Sequence, residues 1–512
     1  MKRLYTLIVF SLCAFGGMLQ AQNDYTAYGL SFTSLQEGTA RSVAMGNALT
    51  ALGGDLGSIN FNPAGTAVYK FSEASITPTF TTVNTTSDLF GSSSKTSRTT
   101  FGISNAGIVI YLPVRSGSLK NINFGIVSSK VNNFATSERA KHLGNTGDPT
   151  YLNYLANHTN DLASHSGISP KTLADEMNIN NSQNPYNNLG AAFWPSVLGW
   201  NTSLLNLNAT ETAFVPTGQL GIDQHFRKKS YGYNTATDLS LGMNFSDQFY
   251  IGLNATVSSV YNKVKITYDE DAVGAQDFKY MSQYYNQKTS GSGIAGKIGA
   301  IWTPNANIRL GAAISTPTIY YLTDRASWDM EAGLGTDYNV RLSTPDVEMD
   351  YRLVTPFKYN FGLAVTLPNG AFSIDYEGSD FSQMRFMSSE DHFHHDDWSA
   401  INDAIKESFT RCDKIRVGAE VNATPNLALR AGFQYSNSGI KDYDINNYVG
   451  SLGLGYSDPS GFFFDCGFMT TLKKTDVLFD GGDILQSYII DNASKSYKRN
   501  TWKLLFTFGL RF

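Results

Sequence analysis

The sequence predicts an all-β fold, a fourteen-stranded antiparallel transmembrane β-barrel, and three observations carry that expectation. Apolar residues alternate with polar or small ones along segment after segment. The connections between those segments are short and long by turns. The final segment closes the chain on an aromatic residue, Phe512.

The chain opens with "MKRLYTLIVFSLCAFGGMLQAQ". Basic Lys2 and Arg3, an apolar run from Leu4 to Phe15 and a small-residue site at Leu19-Gln20-Ala21 read as a secretory signal peptide over residues 1–21, too short to span a bilayer. Loss of Lys2 and Arg3 takes the formal net charge from −5 to −7. An acidic exported chain with no Lys/Arg cluster in its sequence is a poor nucleic-acid binder, so no nucleic-acid partner is expected. Past the signal no run of eighteen apolar residues marks a transmembrane helix. The chain nevertheless carries 46 glycines, 32 phenylalanines and 28 tyrosines with only 16% charged residues, which restricts it to a large secreted β protein or a membrane barrel. Cys13 leaves with the signal, and Cys412 and Cys466 are too few for a disulfide scaffold.

Strands are expected at about 69–84, 98–113, 120–135, 226–246, 248–268, 286–303, 306–324, 346–367, 370–386, 413–423, 425–438, 448–458, 461–474 and 498–512. In "TPFKYNFGLAVTL" Phe357, Tyr359, Phe361, Leu363, Val365 and Leu367 share one face against Lys358, Asn360, Gly362, Ala364 and Thr366. Alternation alone fits a soluble sandwich or a barrel. The connections separate them. Short "RSGSL", "SDQ", "TPNAN", "PNG", "TPN" and "DPSG" take turns with long stretches near 136–225, 269–285, 325–345, 387–412, 439–447 and 475–497. Short turns on one rim and long loops on the other build an up-and-down outer-membrane barrel. The last strand, "NTWKLLFTFGLRF", alternates to its C-terminal Phe512, which looks like the signal read by the outer-membrane assembly machinery.

Residues 22–68 are small and polar and do not read as strand. "TARSVAMGNALTAL" suggests a short helix, with Met45, Leu49 and Leu52 at helical spacing and Gly53-Gly54 as its stop. The turn Asn62-Pro63-Ala64-Gly65 follows; Pro63 fixes φ, and Asn62 can bond its own backbone two residues on. The stretch "GTARSVAMGNALTALGGDLGSINFNPAG" with its Asn62-Pro63-Ala64 turn resembles the FadL/TodX-type outer-membrane channels for long-chain fatty acids and other hydrophobic compounds. So do "TPFKYNFGLAVTLPNGAFSIDYEGSDFS", "KIRVGAEVNATPNLALRAGFQYS" and "FTFGLRF". The resemblance spans the mature chain except its long loops. It implies an N-terminal hatch over 22–68 that plugs a barrel over 69–512, with the Asn62-Pro63-Ala64 turn near the periplasmic end. It also implies passive transport: a hydrophobic, fatty-acid-like ligand lands on an outer loop, passes the hatch and leaves sideways through the wall into the lipid. A monomer in the cell outer membrane is expected, without cofactor.

Other features point elsewhere or nowhere. "GSGIAGKI" (291–298) matches a glycine-rich phosphate loop, but Ile298 stands where a Ser or Thr would ligate Mg²⁺ and no helix follows, so the glycines read as lumen-side residues of a wall strand. "DHFHHDDW" (391–398) gathers His392, His394 and His395 with Asp391, Asp396 and Asp397; it could hold Zn²⁺ or haem iron, or be a solvated loop, and no metal is expected. After it, "DDWSAINDAIKESF" reads as a helix capped by Asp396 or Asp397 with Trp398, Ile401 and Ile405 on one face. No G-x-S-x-G accompanies His142, His158, His165 or His225, and no enzyme is expected. The 136–225 loop carries no charge from Met177 to Ala209 and packs Phe193, Trp194, Val197, Leu198, Trp200, Leu204 and Leu205 into that stretch. These are either a capture surface for hydrophobic molecules or a small core capping the barrel mouth. The rival class is a surface antigen or adhesin that uses the barrel as an anchor, and haem is a second candidate ligand.

Overall fold

The computed structural model describes residues 24–33, 35–89, 92–114, 117–144, 149–218, 221–274, 277–388, 398–441, 445–473, 475–476 and 494–512. Fourteen wall strands close into an antiparallel barrel. In order they are β1 (Glu73–Leu89), β2 (Ser92–Pro113) and β3 (Leu119–Asn133, continued by Thr136–His142). Next come β4 (Ile222–Phe245), β5 (Phe249–Ala272), β6 (Phe278–Trp302) and β7 (Ile308–Ser315, continued by Ile319–Leu334). Then follow β8 (Tyr338–Ser343, Val347–Val354 and Lys358–Leu367), β9 (Gly370–Asp380 and Arg385–Ser388) and β10 (Arg411–Asn422). The circuit ends with β11 (Leu427–Asn437), β12 (Asn446–Ser457), β13 (Phe462–Thr471) and β14 (Ser494–Arg511). Each strand pairs with its sequence neighbour along at least part of its length, and β14 pairs β1 from Arg511↔Glu73 to Ser494↔Leu89, which closes the sheet on itself.

The alternation read in the sequence is the barrel's inside and outside. On β8 Phe361 is 54% exposed while its neighbours Asn360 and Ala364 are buried. Leu452 and Leu454 of β12 and Phe508 and Leu510 of β14 likewise face out. That unbroken apolar exterior is the surface lipid takes. The strands are longer than the sequence suggests on the long-loop side. β5 runs on to Ala272, β6 starts at Phe278, and β7 and β8 form a hairpin through much of 325–345. Beyond the membrane the outward face of a hairpin turns polar while inward Trp328 and Met330 stay buried, so the lipid-facing apolar row fades although the ladder continues.

One helix expectation needs correction. From Thr39, whose side chain accepts from Ser42 N, the helix α2 covers only Ala40–Ala44, after α1 (Asp24–Ser31). Gly46 at φ +61° and Asn47 at φ +57° end it at once. Met45, Leu49 and Leu52 do cluster, with Ala51 and Ala364, but along a chain of turns. The wall is the reason: a Cβ on Gly46 would stand 2.7 Å from Val417 O and 2.9 Å from Phe433 N, too close for a helix to continue.

Candidate functional site

The segment before β1 packs against the inward face of the wall through backbone contact. Wall glycines make this possible. A Cβ on Gly252 (β5) would lie 2.1 Å from Pro63 C, on Gly299 (β6) 2.0 Å from Asn62 Oδ1, and on Gly242 (β4) 2.4 Å from Ala67 N. Gly311 (β7) and Gly362 (β8) meet Thr50 and Ala51 in the same way; Gly418 and Gly432 meet Met45 and Gly46, and Gly467 meets Ala40. The ladder aligns several of them in facing pairs: Gly242↔Gly252, Gly252↔Gly299, Gly311↔Gly362, Gly418↔Gly432 and Gly453↔Gly467.

Asn62 anchors the turn singled out in the sequence. Its Oδ1 accepts from Ala64 N at 3.0 Å, and its Nδ2 donates to Thr50 O at 2.7 Å and to Ala300 O of β6 at 3.1 Å. Pro63 and Ala64 open a short 3-10 helix that runs to Val68 and includes Gly65. Asn62, Pro63, Ala64 and Gly65 are all buried, close to the short-turn rim.

Charges fix the rest of the segment. Arg41 Nε donates to Glu420 at 2.9 Å, Arg430 joins Glu420 to Asp465, and the Glu420 carboxylate raises the Arg41 guanidinium above its ordinary range. Upstream, lysines from three wall strands each donate to one main-chain carbonyl: Lys358 to Ser31 (3.4 Å), Lys414 to Thr33 (3.0 Å) and Lys503 to Leu35 (2.9 Å).

Beside this segment the wall is interrupted. The β2–β3 ladder ends at Asn105↔Ser129. Above it, residues 92–104 of β2 pair only with β1, and 130–142 of β3 pair only with β4. Side chains stitch the two edges: Arg98 donates to Thr136 O at 2.9 Å, and Asn133 Nδ2 to Thr100 Oγ1 at 3.4 Å. Lower down, Lys130 shares the outward parity of Phe124 and Ile126, yet its ammonium lies against inward Gly102 and 3.9 Å from Glu37 Oε2. Lys130 thus reaches through the interruption to the N-terminal segment.

An apolar cluster adjoins the same place. Val260, Tyr320, Leu322, Tyr351 and Leu353 of the wall pack with Phe381, Phe409, Ile401 and Ile405 around Ala27 and Leu30 of α1. Tyr28 stacks on Phe32 (5.0 Å between centroids) and on Phe409 (5.3 Å). Phe134, at the break within β3, packs on the edge of this cluster and joins it to the interruption.

Over the barrel mouth residues 149–218 fold into a cap of α3 (Tyr151–Ser166), α4 (Pro170–Glu176), α5 (Pro185–Asn188), α6 (Trp194–Asn201) and the hairpin Leu205–Leu207/Phe214–Pro216. Thr150 caps α3, Gly167 at φ +66° ends it, and Ser169-Pro170 starts α4. Trp194, Leu198, Leu204 and Leu205 are buried against Phe226, Tyr268, Tyr285 and Trp328 of the wall. Val197 is buried in a second core with Leu173, Met177 and Phe214, and only Phe193 and Trp200 are partly exposed. Five of the seven residues lie in the cap interior, and Phe193 and Trp200 reach its surface in part.

The remaining motifs sort quickly. "GSGIAGKI" lies within β6, with Gly291 and Gly293 inward against β7 and, unlike the sequence reading, Gly296 outward beside Thr316. Helix α7 (Ser399–Ser408) buries Ile401 and Ile405 with Trp398 beside them. Residues 391–397, and with them the histidine cluster and the expected caps Asp396 and Asp397, lie outside the described residues, as do 1–21. Among the described residues no group of His, Cys, Asp and Glu could hold a metal ion.

A closed barrel with an apolar exterior and an N-terminal segment folded into its lumen defines a class, the plugged transmembrane β-barrels. Solved structures narrow it. The fold matches that of a Pseudomonas aeruginosa FadL homologue at a TM-score of 0.53 and 11% identity, over 97% of this chain and 100% of that one. It matches the P. putida toluene transporter TodX at 0.51 and 12% identity, over 93% and 99% of the two chains. The Ralstonia pickettii toluene transporter TbuX gives 0.50 and 15% identity over 93% and 99%. The fold is that of the FadL/TodX-type channels. No protein-family model and no curated protein matches the sequence.

Proposed function

We propose that the protein is a passive outer-membrane channel for hydrophobic small molecules, with residues 22–68 as its hatch and a sideways exit between β2 and β3. The observation that carries this reading is the missing β2–β3 ladder beside the apolar cluster of Tyr28, Phe32, Phe381 and Phe409. The glycine-seated segment obstructs the straight route to the short-turn rim, so an apolar solute in the cluster has the interrupted wall as its way out. Chemistry is not required, because burial of each CH₂ gains roughly 0.8 kcal/mol. The neighbours named as toluene transporters support an apolar cargo, and long-chain fatty acids or aromatic hydrocarbons are the classes this path suits. The capture role of the 193–205 stretch then needs the cap to open, apart from Phe193 and Trp200.

Cross-linking tests the exit. With Cys412→Ala and Cys466→Ala as background, Thr100→Cys and Asn133→Cys place thiols where two side chains already meet. Joining them by a disulfide or a short bis-thiol reagent should stop uptake of a labelled hydrophobic compound by cells, and cleaving the link should restore it. Uptake at the uncross-linked rate through a fully joined wall would rule the exit out.

A further inference from the structure

No basic cluster is visible along the chain, but sheet register assembles one from separated lysines. Lys229 of β4 is paired directly with Lys265 of β5, and Lys263 of β5 directly with Lys288 of β6. All four have outward parity. Lys263 and Lys265 continue the β5 row of Phe249, Ile251, Leu253 and Val257, Lys229 the row of Leu239, and Lys288 that of Ile294 and Ile298. Directly opposed residues on one face have their Cβ atoms about 4.5–5.5 Å apart, where like charges destabilise a sheet. Here two such pairs are adjacent. The arginines at their flanks have carboxylate partners, Arg227 with Asp269 and Arg325 with Glu348, each at 2.8 Å. Among the described residues none of the four lysines has a carboxylate within ion-pair distance, and Lys288 lies 5.8 Å from the Tyr261 ring. Among the described residues the patch thus has no carboxylate in contact with it.

Height identifies what can supply it. From Phe249 at the short-turn rim to Tyr261, at about 3.3 Å per residue and a tilt of about 45°, β5 climbs roughly 28 Å, close to the ~25 Å of a barrel's apolar band. Lys263 is the next outward residue. Tyr231, Tyr233 and Tyr261 form a cluster of rings just below, with centroids 6.3 and 6.2 Å apart, as in the aromatic girdle of a membrane interface. The lysines therefore stand in the headgroup layer of the leaflet on the long-loop side. We propose that Lys229, Lys263, Lys265 and Lys288 bind the phosphates of a phosphorylated glycolipid in that outer leaflet. Ammonium groups serve as point charges for phosphate, and a lipid holds its phosphates at this depth.

This inference rests on the membrane-spanning reading of the barrel, and the experiment separates the two. The full chain is reconstituted in nanodiscs of zwitterionic lipid doped with bisphosphorylated lipid A, and retained lipid A is weighed by native mass spectrometry after exchange. The wild type should retain it at least about tenfold better than the variant with all four lysines changed to Gln. The all-Arg variant should retain it like the wild type, and dephosphorylated lipid A should be lost from every variant. Equal retention by wild type and Gln variant overturns the site, as does equal displacement by soluble inorganic phosphate, which would make it a general anion patch. Insertion is read independently from quenching of outward Trp302 by brominated lipid. Absent quenching overturns the barrel reading; normal quenching with equal retention overturns the lipid site alone.

Discussion

Lys503 of β14 holds Glu37 of the N-terminal segment at 2.7 Å, and both side chains are buried. The second carboxylate oxygen of Glu37 has no hydrogen bond and faces Lys130, which comes through the interrupted wall. One carboxylate therefore links the segment to both the closing strand and the interrupted β2–β3 wall. Removing one partner of a buried pair costs about 3–5 kcal/mol, because the other charge is left without compensation. Glu37→Gln should free the segment around Leu35, seen as faster protease cleavage there and a higher single-channel conductance. Glu37→Gln combined with Lys503→Met should recover part of the loss. An unchanged conductance in Glu37→Gln would show that the link holds nothing shut.

At the Asn62–Gly65 turn, Asn62→Ala removes three hydrogen bonds and takes the side-chain donor from Thr50 O. The turn should weaken by about 1–3 kcal/mol as Thr50 O is left buried and short of a donor. Gly299→Val should act from the wall side, and Pro63→Gly should loosen the same turn. All three should impair transport while heat-resistant electrophoretic migration of the barrel persists. Wild-type uptake in all three would reduce the motif to an ordinary turn.

The cap offers a cleaner separation of roles. Trp194 is buried in a T-shaped contact with Trp328 at 6.2 Å, and its Nε1 donates to Leu189 O at 3.3 Å. Trp194→Ala should destabilise the cap by about 3–5 kcal/mol and expose it to protease. Trp200, partly exposed and edge-on to Phe214 at 5.9 Å, should tolerate Ser better. If Trp200→Ser lowers affinity for a hydrophobic ligand without nicking the loop, Trp200 contacts ligand. Unchanged affinity assigns it to the cap alone.

The cap should also respond to acid. Burial in α3 lowers the His158 imidazole below its ordinary 6.5, against weaker opposing effects from Ala192 and Asp161. Unfolding lets the ring bind a proton the folded cap disfavours, so stability is full above 6.5 and falls as pH drops below it. Limited proteolysis of the cap should accelerate across that range while the barrel stays intact. His158→Gln should flatten the profile; a profile unchanged in that variant would place the sensitivity elsewhere.

Most of the wall was legible because lipid imposes a rule on outward residues within the apolar band, such as Ile76, Phe361 and Phe508. Closure of β14 on β1 followed from the even count and the alternation up to Phe512. Where lipid stops, legibility stops: the hairpin of β7 and β8 carries polar residues on its outward face and looked like loop. The N-terminal segment misled for a different reason. Met45, Leu49 and Leu52 have helical spacing, but Gly46 is pressed against Val417 and Phe433, and tertiary contact overrode the local pattern. The β2–β3 interruption depends on which strands pair, and the Lys130–Glu37–Lys503 link joins residues far apart in sequence. One signal was present and unread, a lone glycine a few residues from the short-turn rim in "SLGMNF", "YIGLN", "KIGAIW", "RLGAAI" and "NFGLAV".

Those glycines make the segment fit its seat like a gasket. Main chain of the segment rests on main chain of the wall at Gly242, Gly252, Gly311, Gly418, Gly432 and Gly467, with no side chain between at those points to swing aside. On the proposed reading, such close seating narrows the axial route for ions while the β2–β3 interruption serves the cargo.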